Sequence, residues 1–324
     1  MFGVTATSFS SSDPLAGLTL GEVPDPVVAE GWVRVHVRAA GLNHHDLWSL
    51  RGVGLSADRL PMVLGCDAAG VLDDGTPVIV HAVIADPAAG DGDETFDPDR
   101  TLLSELHPGT LAEMVAVPAF NVVPKPEELT FAEAACLPSA WLTAYRMIAT
   151  RSGLRPGDTM LVQGAGGGVA TAAIQLGAAM GMRVWVTSRD ETKRARALAL
   201  GAEQVFEMNA RLPDRVDVVI ESVGEATWAH SLKSLRPGGR IVVTGATSGA
   251  NPPADLQRVF FRQLSVVGST MGTRAELESL VTLLLDTGLR PTIDATYDLR
   301  DARSAFEQLV AGDVVGKLVL THAG

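Results

Sequence analysis

A glycine-rich turn places the strongest constraint on what this chain can fold into. In the segment LVQGAGGGVATAAIQLG, four glycines lie directly after an apolar run typical of a strand and directly before a run with helical spacing. Glycine tolerates positive φ and lets the backbone approach a pyrophosphate, which the N-terminus of the following helix stabilises. The alternative is a merely flexible turn, but the strand–turn–helix context favours a dinucleotide-binding site. Its predicted members are Gly164, Ala165, Gly166, Gly167, Gly168 and Val169.

Strands and helices alternate on both sides of this turn. The segments DTMLVQGAG, RVWVTSR, VDVVIESVG and RIVVTGAT have the apolar character of strands, and segments with helical spacing separate them. Such alternation implies a parallel sheet with helices on its faces. The first third of the chain is typical of β structure, because apolar and polar residues alternate in GWVRVHVRAAG. The spacing of Thr130 and Glu133 predicts a capping box at a helix start, and the acidic segment 85–100 predicts a surface loop.

Length and composition exclude several classes of protein. A chain of 324 residues predicts about two domains. The formal net charge of −12 argues against nucleic acid as a partner, since binding to phosphates needs clustered Lys and Arg. The chain has two cysteines, too few for a disulfide framework or a four-Cys zinc site. The absence of a signal-peptide pattern and of an apolar run of about 20 residues predicts a cytoplasmic protein without a membrane span.

The end of the strand after the glycine-rich turn bears on the choice of dinucleotide. NAD-specific sites usually place an acidic residue there to hold the ribose 2′-hydroxyl. Here WVTSRDETKR offers Ser188 and Arg189 at the strand end, with Lys193 one helical turn further on. Small hydroxyl side chains leave room for a 2′-phosphate, and the two cations can pair with it. These residues favour NADP, although Asp190 could serve NAD if the strand ended later, and the two cations could simply be a solvated helix start.

The segment GLNHHDLWSLRG has the residue types of a metal site, with two adjacent histidines beside an aspartate. Adjacent residues rarely converge on one tetrahedral ion, so the histidines and Asp46 need another explanation. Asp46 is a candidate acid, but the simpler interpretation is that it orients the turn before a helix. Trp48 is a candidate wall of a substrate pocket, although aromatic residues at helix starts usually belong to a core.

Seven segments, spread over nearly the whole chain in a fixed order, resemble the medium-chain dehydrogenase/reductase superfamily and its quinone oxidoreductase-like branch. They are AAGLNHHDLWSLRG, LPMVLGCDAAGV, FAEAACLPSAWLTAYRMI, GLRPGDTMLVQGAGGGVA, LRPGGRIVVTGAT, QLSVVGSTMGT and GKLVL. The resemblance implies a GroES-like β-barrel domain built from residues 1–119 and 273–324. It also implies an inserted Rossmann domain, a doubly wound parallel sheet, over residues 120–272, with the active site in the cleft between the domains.

The same resemblance identifies positions that hold a catalytic zinc in the alcohol dehydrogenases of the superfamily. These positions are occupied here by Asn43, Cys66, Asp67 and Ser139. Cys66 is the single strong ligand among them, whereas a catalytic zinc needs about three protein ligands. The region that carries a structural zinc in other members would fall in 85–108, and it contains no cysteine. Both zinc sites are therefore expected to be absent.

Zinc-free members of the superfamily mostly reduce activated double bonds, so the resemblance implies an NADPH-dependent reductase of quinones, enones or enoyl thioesters. Asn43 is a candidate donor to the substrate oxygen or the nicotinamide ribose, or else a turn residue that bonds its own backbone. Cys66 is a further candidate catalytic residue, although the simpler interpretation is that it is a buried, inert thiol. The sequence offers no convincing proton donor, and water could serve. Further residues that the resemblance places near the cofactor are His44, Thr143, Gly245, Ala246, Thr247, Ser269, Thr270, Met271 and Lys317.

Two alternatives remain open at this point. One is an alcohol dehydrogenase with a metal site rebuilt from His44, His45, Cys66 and Asp67. The other is a non-catalytic NADP-binding sensor, since the intact cofactor turn is compatible with either role. The resemblance further implies a homodimer, whose Rossmann sheets pair edge to edge through the strand LSVVGST.

Overall fold

The chain divides into two units, and both ends of the sequence belong to the same one. A computed structural model describes residues 1–322. Unit 1 comprises Met1–Ala140 and Met271–Gly324, and unit 2 comprises Trp141–Thr270. An inserted domain between two parts of another is what the sequence predicts, but the first boundary lies at 141 rather than at 120. Strand and helix segments between these two positions pack within unit 1, which explains the difference.

The structural elements are numbered in chain order. The strands are β1 (Phe2–Ala6), β2 (Leu18–Glu22), β3 (Trp32–Gly41), β4 (Met62–Val63), β5 (Asp67–Leu72), β6 (Pro77–Val80), β7 (Val83–Ile84), β8 (Thr101–Leu102), β9 (Met114–Pro118), β10 (Val122–Pro124), β11 (Thr159–Gln163), β12 (Arg183–Ser188), β13 (Gln204–Glu207), β14 (Val216–Glu221), β15 (Leu235–Val243), β16 (Ser265–Gly268), β17 (Ile293–Asp298) and β18 (Lys317–Thr321). The helices are α1 (His44–Leu50), α2 (Phe131–Ala134), α3 (Leu142–Arg146), α4 (Gly168–Ala179), α5 (Glu191–Ala199), α6 (Glu225–Ser234), α7 (Leu256–Phe261), α8 (Arg274–Thr287) and α9 (Ala302–Ala311).

Unit 2 is built on a parallel sheet with the strand order β13-β12-β11-β14-β15-β16. Each neighbouring pair in it is parallel. The strand order reverses between β11 and β14, and open sheets of this kind bind ligands at the carboxyl ends of the strands beside that reversal. Leu161, Trp185 and Ile241 are buried in its core. The predicted Rossmann fold is confirmed.

Unit 1 is mainly antiparallel. Its largest sheet runs β10-β6-β5-β3-β18-β17, with β9 also paired to β3. β18, from the end of the chain, pairs with β3, and this contact joins the two separated parts of the unit. The alternation predicted for β3 is confirmed, because Val35 and Val37 are buried whereas His36 is partly exposed and contacts Asp73. This unit is the GroES-like domain that the sequence predicts.

The segment between residues 120 and 140 belongs to unit 1 for a structural reason. β10 pairs with β6, and α2 packs against β3 and β5. The predicted capping box is present at α2, where the Thr130 hydroxyl accepts from the Glu133 N–H and the Glu133 carboxylate accepts from the Thr130 N–H. α3 lies between two short π-helical turns, Leu137–Trp141 and Met147–Arg151.

The acidic segment 85–100 is only partly the surface loop that its composition predicts. It forms two short 3-10 turns, Gly90–Gly92 and Glu94–Phe96. Glu94 and Thr95 in the second turn are buried. Throughout residues 1–322, no helix combines the length and the apolar character that crossing a membrane requires.

Candidate functional site

The glycine-rich turn of unit 2 has the space and the donors that a pyrophosphate needs. Gly164 follows β11 with φ of 89°, and its N–H donates to the carbonyl oxygen of Thr187 at 3.0 Å. Gly167 precedes the first turn of α4, and no described atom lies within 4 Å of a Cβ built at that position. The first N–H groups of the 12-residue helix α4 are therefore approachable by a phosphate. The site fits a dinucleotide.

The residues after β12 are arranged in a way that bears on the ribose 2′-position. The Asp190 carboxylate accepts from the Lys193 N–H at 2.9 Å and caps helix α5. The Ser188 hydroxyl accepts from the Asp190 N–H at 3.2 Å, and Arg189 is exposed. The cap engages one oxygen of this carboxylate, Oδ1, so part of the acceptor capacity of Asp190 serves the helix. The contacts of Ser188, Arg189 and Lys193 with a cofactor stay a prediction.

Other predicted cofactor residues of unit 2 lie beyond the carboxyl ends of the next strands. The turn of Gly245, Ala246 and Thr247 follows β15, and Thr247 contacts the carbonyl oxygen of Ser222 through its N–H and its hydroxyl, each at 3.4 Å. Ser269 follows β16, where its N–H donates to the Val243 carbonyl at 2.8 Å. The Ser269 hydroxyl oxygen is buried and has no hydrogen-bond partner within residues 1–322.

Two further sites predicted to contact the cofactor differ from the others in burial or in their position along the chain. Thr143 is 6% exposed within α3, and its contact with the cofactor stays a prediction. The predicted segment of Ser269, Thr270 and Met271 spans the boundary between the units, and the Met271 side chain packs against the core of unit 1. The structure therefore supports backbone contacts, rather than a methionine side-chain contact, as the predicted role of this segment.

In unit 1, Asp46 holds the turn that the two histidines belong to. Its carboxylate accepts from the Asn43 N–H at 2.8 Å and from the Gly65 N–H at 3.0 Å. The side chain is fully buried, and burial raises its pKa to about 6. Both carboxylate oxygens are thus occupied by backbone donors from two segments. This arrangement supports the interpretation that Asp46 orients the turn, and it counts against a role as an acid.

Lys317 lies in a buried cluster with Asn43 and Asp67. Its ammonium donates to the Leu42 carbonyl at 2.7 Å, to Asn43 Oδ1 at 2.7 Å and to Asp67 Oδ2 at 2.8 Å. Lys317 and Asp67 have side-chain exposures of 2% and 0%. An ammonium has three protons, and all three have acceptors here. The geometry therefore counts against the predicted contact between Lys317 and a cofactor phosphate.

The same cluster fixes the amide of Asn43. Since Oδ1 accepts from Lys317, Nδ2 carries the hydrogens, and it lies 2.8 Å from Asp67 Oδ2, 3.3 Å from the Gly41 carbonyl and 3.6 Å from Cys66 Sγ. Both amide hydrogens thus have acceptors inside unit 1. This geometry favours the turn-residue interpretation of Asn43 over a donor to substrate, and the catalytic role stays a prediction.

Cys66 is an interior thiol. It is 1% exposed, and its sulfur lies 3.3 Å from the hydroxyl oxygen of Ser139. Burial raises the pKa of this thiol, which reduces the fraction of the nucleophilic thiolate. The structure thereby brings together all four positions that carry zinc ligands or their neighbour in related dehydrogenases, and it supports the inert interpretation of Cys66.

The histidines point different ways, as expected for adjacent residues. His44 is exposed, whereas His45 Nε2 lies 3.1 Å from Glu105 Oε1. Burial lowers the pKa of His45, and its contact with the Glu105 carboxylate opposes burial and raises that pKa. Glu105 could not be found from the sequence, because nothing in the spacing pairs residue 45 with a residue of the 101–107 segment. Trp48 is half-buried with the Arg51 guanidinium 5.7 Å from its ring, and its pocket role stays a prediction.

The donors in this cluster do not fit a catalytic zinc. Cys66 is the single thiol among them, Asn43 and Ser139 are neutral, and Asp67 is already paired with the Lys317 ammonium. A divalent cation at Asp67 would lie close to that ammonium and would be repelled by it. No group of three His, Cys, Asp or Glu side chains within residues 1–322 is placed to hold a metal ion. The rebuilt metal site from His44, His45, Cys66 and Asp67 is not supported by this geometry.

Comparison with known proteins places the chain in a family. A family described as alcohol dehydrogenase GroES-like domain matches residues 29–127, and one described as zinc-binding dehydrogenase matches residues 168–286. The chain is 32% identical to acryloyl-coenzyme A reductase of Metallosphaera sedula, over 94% of this chain and 96% of that protein. The chain belongs to the medium-chain dehydrogenase/reductase superfamily. The predicted oxidoreductase class is confirmed at the level of this superfamily.

Other members of the superfamily are similar over different extents. The chain is 34% identical to the spectinabilin polyketide synthase system protein NorB of Streptomyces orinoci over 94% of its own length, but it spans only 14% of NorB. The crystal structure of an NAD-dependent alcohol dehydrogenase superposes with a TM-score of 0.91 at 33% identity over 100% of both chains. A 2-octenoyl-CoA carboxylase reductase, CinF, in complex with NADP and 2-octenoyl-CoA superposes with a TM-score of 0.91 at 26% identity, over 99% of this chain and 87% of CinF.

Proposed function

We propose that this chain is an NADPH-dependent reductase of α,β-unsaturated carbonyl compounds or quinones that works without zinc. The observation that carries the proposal is the cluster of Asn43, Cys66, Asp67 and Lys317. Here an internal ion pair and a single thiol occupy the positions at which related dehydrogenases hold a metal. Oxidation of an alcohol at neutral pH gains much of its rate from a Lewis acid, and these residues offer none.

The cofactor half of the proposal rests on unit 2. NADPH, when bound, supplies a hydride to the β-carbon of an enone or to a quinone, and a proton completes the reduction. The glycine-rich turn offers the approachable N–H groups of α4 to the pyrophosphate. Arg189 is exposed beside Ser188, and Asp190 is occupied as a helix cap. These features favour a 2′-phosphate over a 2′-hydroxyl.

The substrate class is supported by the relatives. Acryloyl-coenzyme A reductase, which matches nearly end to end, and CinF, whose structure holds 2-octenoyl-CoA, are both named for reductions of unsaturated CoA esters. Conjugated thioesters, enones and quinones share an electrophilic carbon that accepts hydride. This shared chemistry makes enoyl thioesters the first compounds to test, with enones and quinones beside them.

The experiment is a turnover panel with the purified full chain. NADPH oxidation is followed by absorbance with enoyl-CoA esters, enones, enals and quinones, and each is repeated with NADH. We expect turnover of at least one class, with a higher kcat/KM for NADPH than for NADH. Binding of NADPH without turnover of any compound would contradict the proposal and would favour the non-catalytic sensor.

An alcohol dehydrogenase is the second candidate, because a structure named as an NAD-dependent alcohol dehydrogenase superposes over the full chain. Elemental analysis of the purified protein separates the two functions. We expect much less than one zinc per chain and no loss of NADPH-dependent turnover after treatment with a chelator. About one tightly held zinc per chain, together with NAD-dependent oxidation of alcohols, would establish the second candidate instead.

A further inference from the structure

A network of buried polar side chains lies at the carboxyl ends of the central strands of unit 2, where the cofactor is predicted to bind. Gln163 ends β11, Thr187 is the last residue but one of β12, and Glu221 ends β14. His230 and Ser231 project toward them from α6. Gln163, Ser231 and Glu221 are each 0% exposed, and Thr187 is 1% exposed. Side-chain hydrogen bonds therefore join the carboxyl ends of three adjacent strands, at the edge where such sheets bind their ligands.

A neutral imidazole at His230 gives each hydrogen bond of this network a definite direction. His230 Nε2 lies 2.8 Å from the Ala210 carbonyl oxygen, which can only accept, so Nε2 carries the proton and Nδ1 is an acceptor. Gln163 Nε2 then donates to His230 Nδ1 at 2.9 Å and to the Ser231 hydroxyl oxygen at 3.0 Å. Ser231 donates onward to Glu221 Oε2 at 2.6 Å. The amide oxygen, Gln163 Oε1, accepts a hydrogen bond from the Thr187 hydroxyl.

Backbone contacts connect this network to the cofactor turn. Gln163 and Thr187 are register partners in the sheet, and the Gly164 N–H donates to the Thr187 carbonyl at 3.0 Å. Ser188 follows Thr187 at the end of β12, and its hydroxyl accepts from the Asp190 N–H. The network thus fixes the position of the start of the glycine-rich turn relative to the end of β12. Those two segments would contact the pyrophosphate and the adenosine ribose.

We propose that Gln163, Thr187 and His230 are positioning residues for the dinucleotide, and that protonation of His230 weakens cofactor binding. This inference rests on the proposed function. A proton on Nδ1 would face the Gln163 amide nitrogen, so two donors would oppose each other. Rotating the amide would relieve that contact, but it would turn Oε1 toward the Ser231 oxygen and would remove the acceptor of the Thr187 hydroxyl. Neither orientation satisfies every buried group, and leaving one unsatisfied is costly.

The charges around His230 agree with a neutral imidazole in the folded state. Burial lowers its pKa, the contact with the Ala210 carbonyl and the charge of Glu221 raise it, and Lys233 lowers it further, with a net lowering. Glu221, from β14, and Lys233, from the same helix, are the charged groups that act on it. A histidine with a lowered pKa takes up its proton below the ordinary value of about 6.5, so the effect on binding belongs to the acidic side of neutrality.

The test is cofactor binding rather than turnover. Dissociation constants for NADPH and NADH are measured by fluorescence titration of the full chain, from about pH 5 to about pH 8, the range in which histidine titrates. The variants are Thr187→Val, Thr187→Ser and His230→Asn, and Thr159→Val is the matched control. Thr159 is also buried, with 6% exposure against 1% for Thr187, and it starts β11 at the opposite end of that strand from Gln163. Thermal unfolding of each variant shows whether it is folded.

At neutral pH we expect Thr187→Val to weaken NADPH binding about tenfold, which corresponds to about 1.4 kcal/mol. Thr187→Ser, which keeps the hydroxyl, and Thr159→Val should stay within about twofold of the parent, since neither loses the bond to Gln163. Because the 2′-phosphate of NADPH itself titrates near pH 6, NADH gives the cleaner pH profile. The parent chain should lose NADH affinity on acidification, and His230→Asn should flatten that loss.

Two results would overturn this inference. One is equal cofactor affinity in Thr187→Val and Thr159→Val, and the other is a pH profile that His230→Asn leaves unchanged. If Thr187→Val does not fold, the pH profile of His230→Asn still decides the matter. Failure of the parent chain to bind either dinucleotide would overturn the proposed function and this inference together, whereas parent binding with unaffected variants would overturn the inference alone.

Discussion

At the scale of single residues, the Lys317–Asp67 pair is the most consequential contact in unit 1. Both side chains are buried, and their nitrogen and oxygen atoms lie 2.8 Å apart. Burial lowers the pKa of Lys317, but the Asp67 carboxylate outweighs burial and raises it above the ordinary lysine value. The stability that this pair adds is therefore complete below about pH 10.4 and is lost as the pH rises through the higher folded value.

Replacing Lys317 by Met tests that contact. The substitution leaves the Asp67 carboxylate buried and uncompensated, which costs about 3–5 kcal/mol when one partner of a buried pair is removed. The free energy of unfolding in urea should fall by this amount, and adding Asp67→Asn should recover part of the loss. The control is Arg183→Met in the Arg183–Glu203 pair, whose side chains are 50% and 40% exposed, and it should change stability by about 1 kcal/mol or less. Equal effects of the two substitutions would contradict this account.

At the scale of elements, Glu94 anchors the acidic segment 85–100 to the rest of unit 1. Its carboxylate accepts from the Arg274 N–H at the start of α8, and it lies 3.4 Å from His81 Nε2. Burial raises the pKa of Glu94, but the contacts with His81 and the Arg274 N–H outweigh burial and lower it. This anchor is present above the unfolded value of about 4.3 and weakens as the pH falls through the lower folded value.

The substitution Glu94→Gln tests the anchor, because an amide keeps the shape and loses the charge. We expect the backbone amides of the segment 85–100 to exchange with deuterium about tenfold faster, the factor that corresponds to about 1.4 kcal/mol of local stability. Asp91→Asn is the matched control, since Asp91 lies in the same segment and is exposed. Exchange that is faster in the control as well, or in neither variant, would show that Glu94 is not the anchor.

The periodicity and the turn residues of the sequence predict many of the strands and helices of this fold. The alternation in β3, the capping box at Thr130 and the order of strands and helices around Gly164 are all confirmed. These features are local, so a window of a few residues contains the physical cause. Glu105 beside His45, and Gln163 beside His230, depend instead on residues 60 and 67 positions apart. No local pattern encodes such pairs, which is why the sequence analysis missed both.

The contacts of Lys317 could not be predicted from the sequence for a related reason. The motif GKLVL fixes where the residue stands along β18, but not what its ammonium contacts. The contacts arise because β18 pairs with β3, which brings Lys317 beside the segment that starts α1. Asp46, by contrast, was correctly interpreted as orienting its turn, since a carboxylate three residues after a turn start has local donors within reach.

At the scale of the whole molecule, one edge of the parallel sheet is suited to a second copy of the chain. β16 ends the strand order of unit 2, and Val266 on it is 50% exposed. In the neighbouring helix α7, Phe260 and Phe261 are 69% and 81% exposed. An uncovered edge strand beside large exposed apolar side chains is unfavourable in a monomer, and pairing two such edges would cover both features. This supports the homodimer that the family resemblance implies, and the homodimer stays a prediction.

The substitution Val266→Lys tests it, because a lysine on an edge strand opposes strand pairing through charge and desolvation. We expect light scattering after gel filtration to give the mass of a dimer for the parent chain and that of a monomer for the variant at the same concentration. Val310→Lys on α9, at a residue 46% exposed in unit 1, is the matched control and should stay dimeric. A parent chain that elutes as a monomer, or a Val310→Lys variant that dissociates to the same extent, would assign the exposed edge another role.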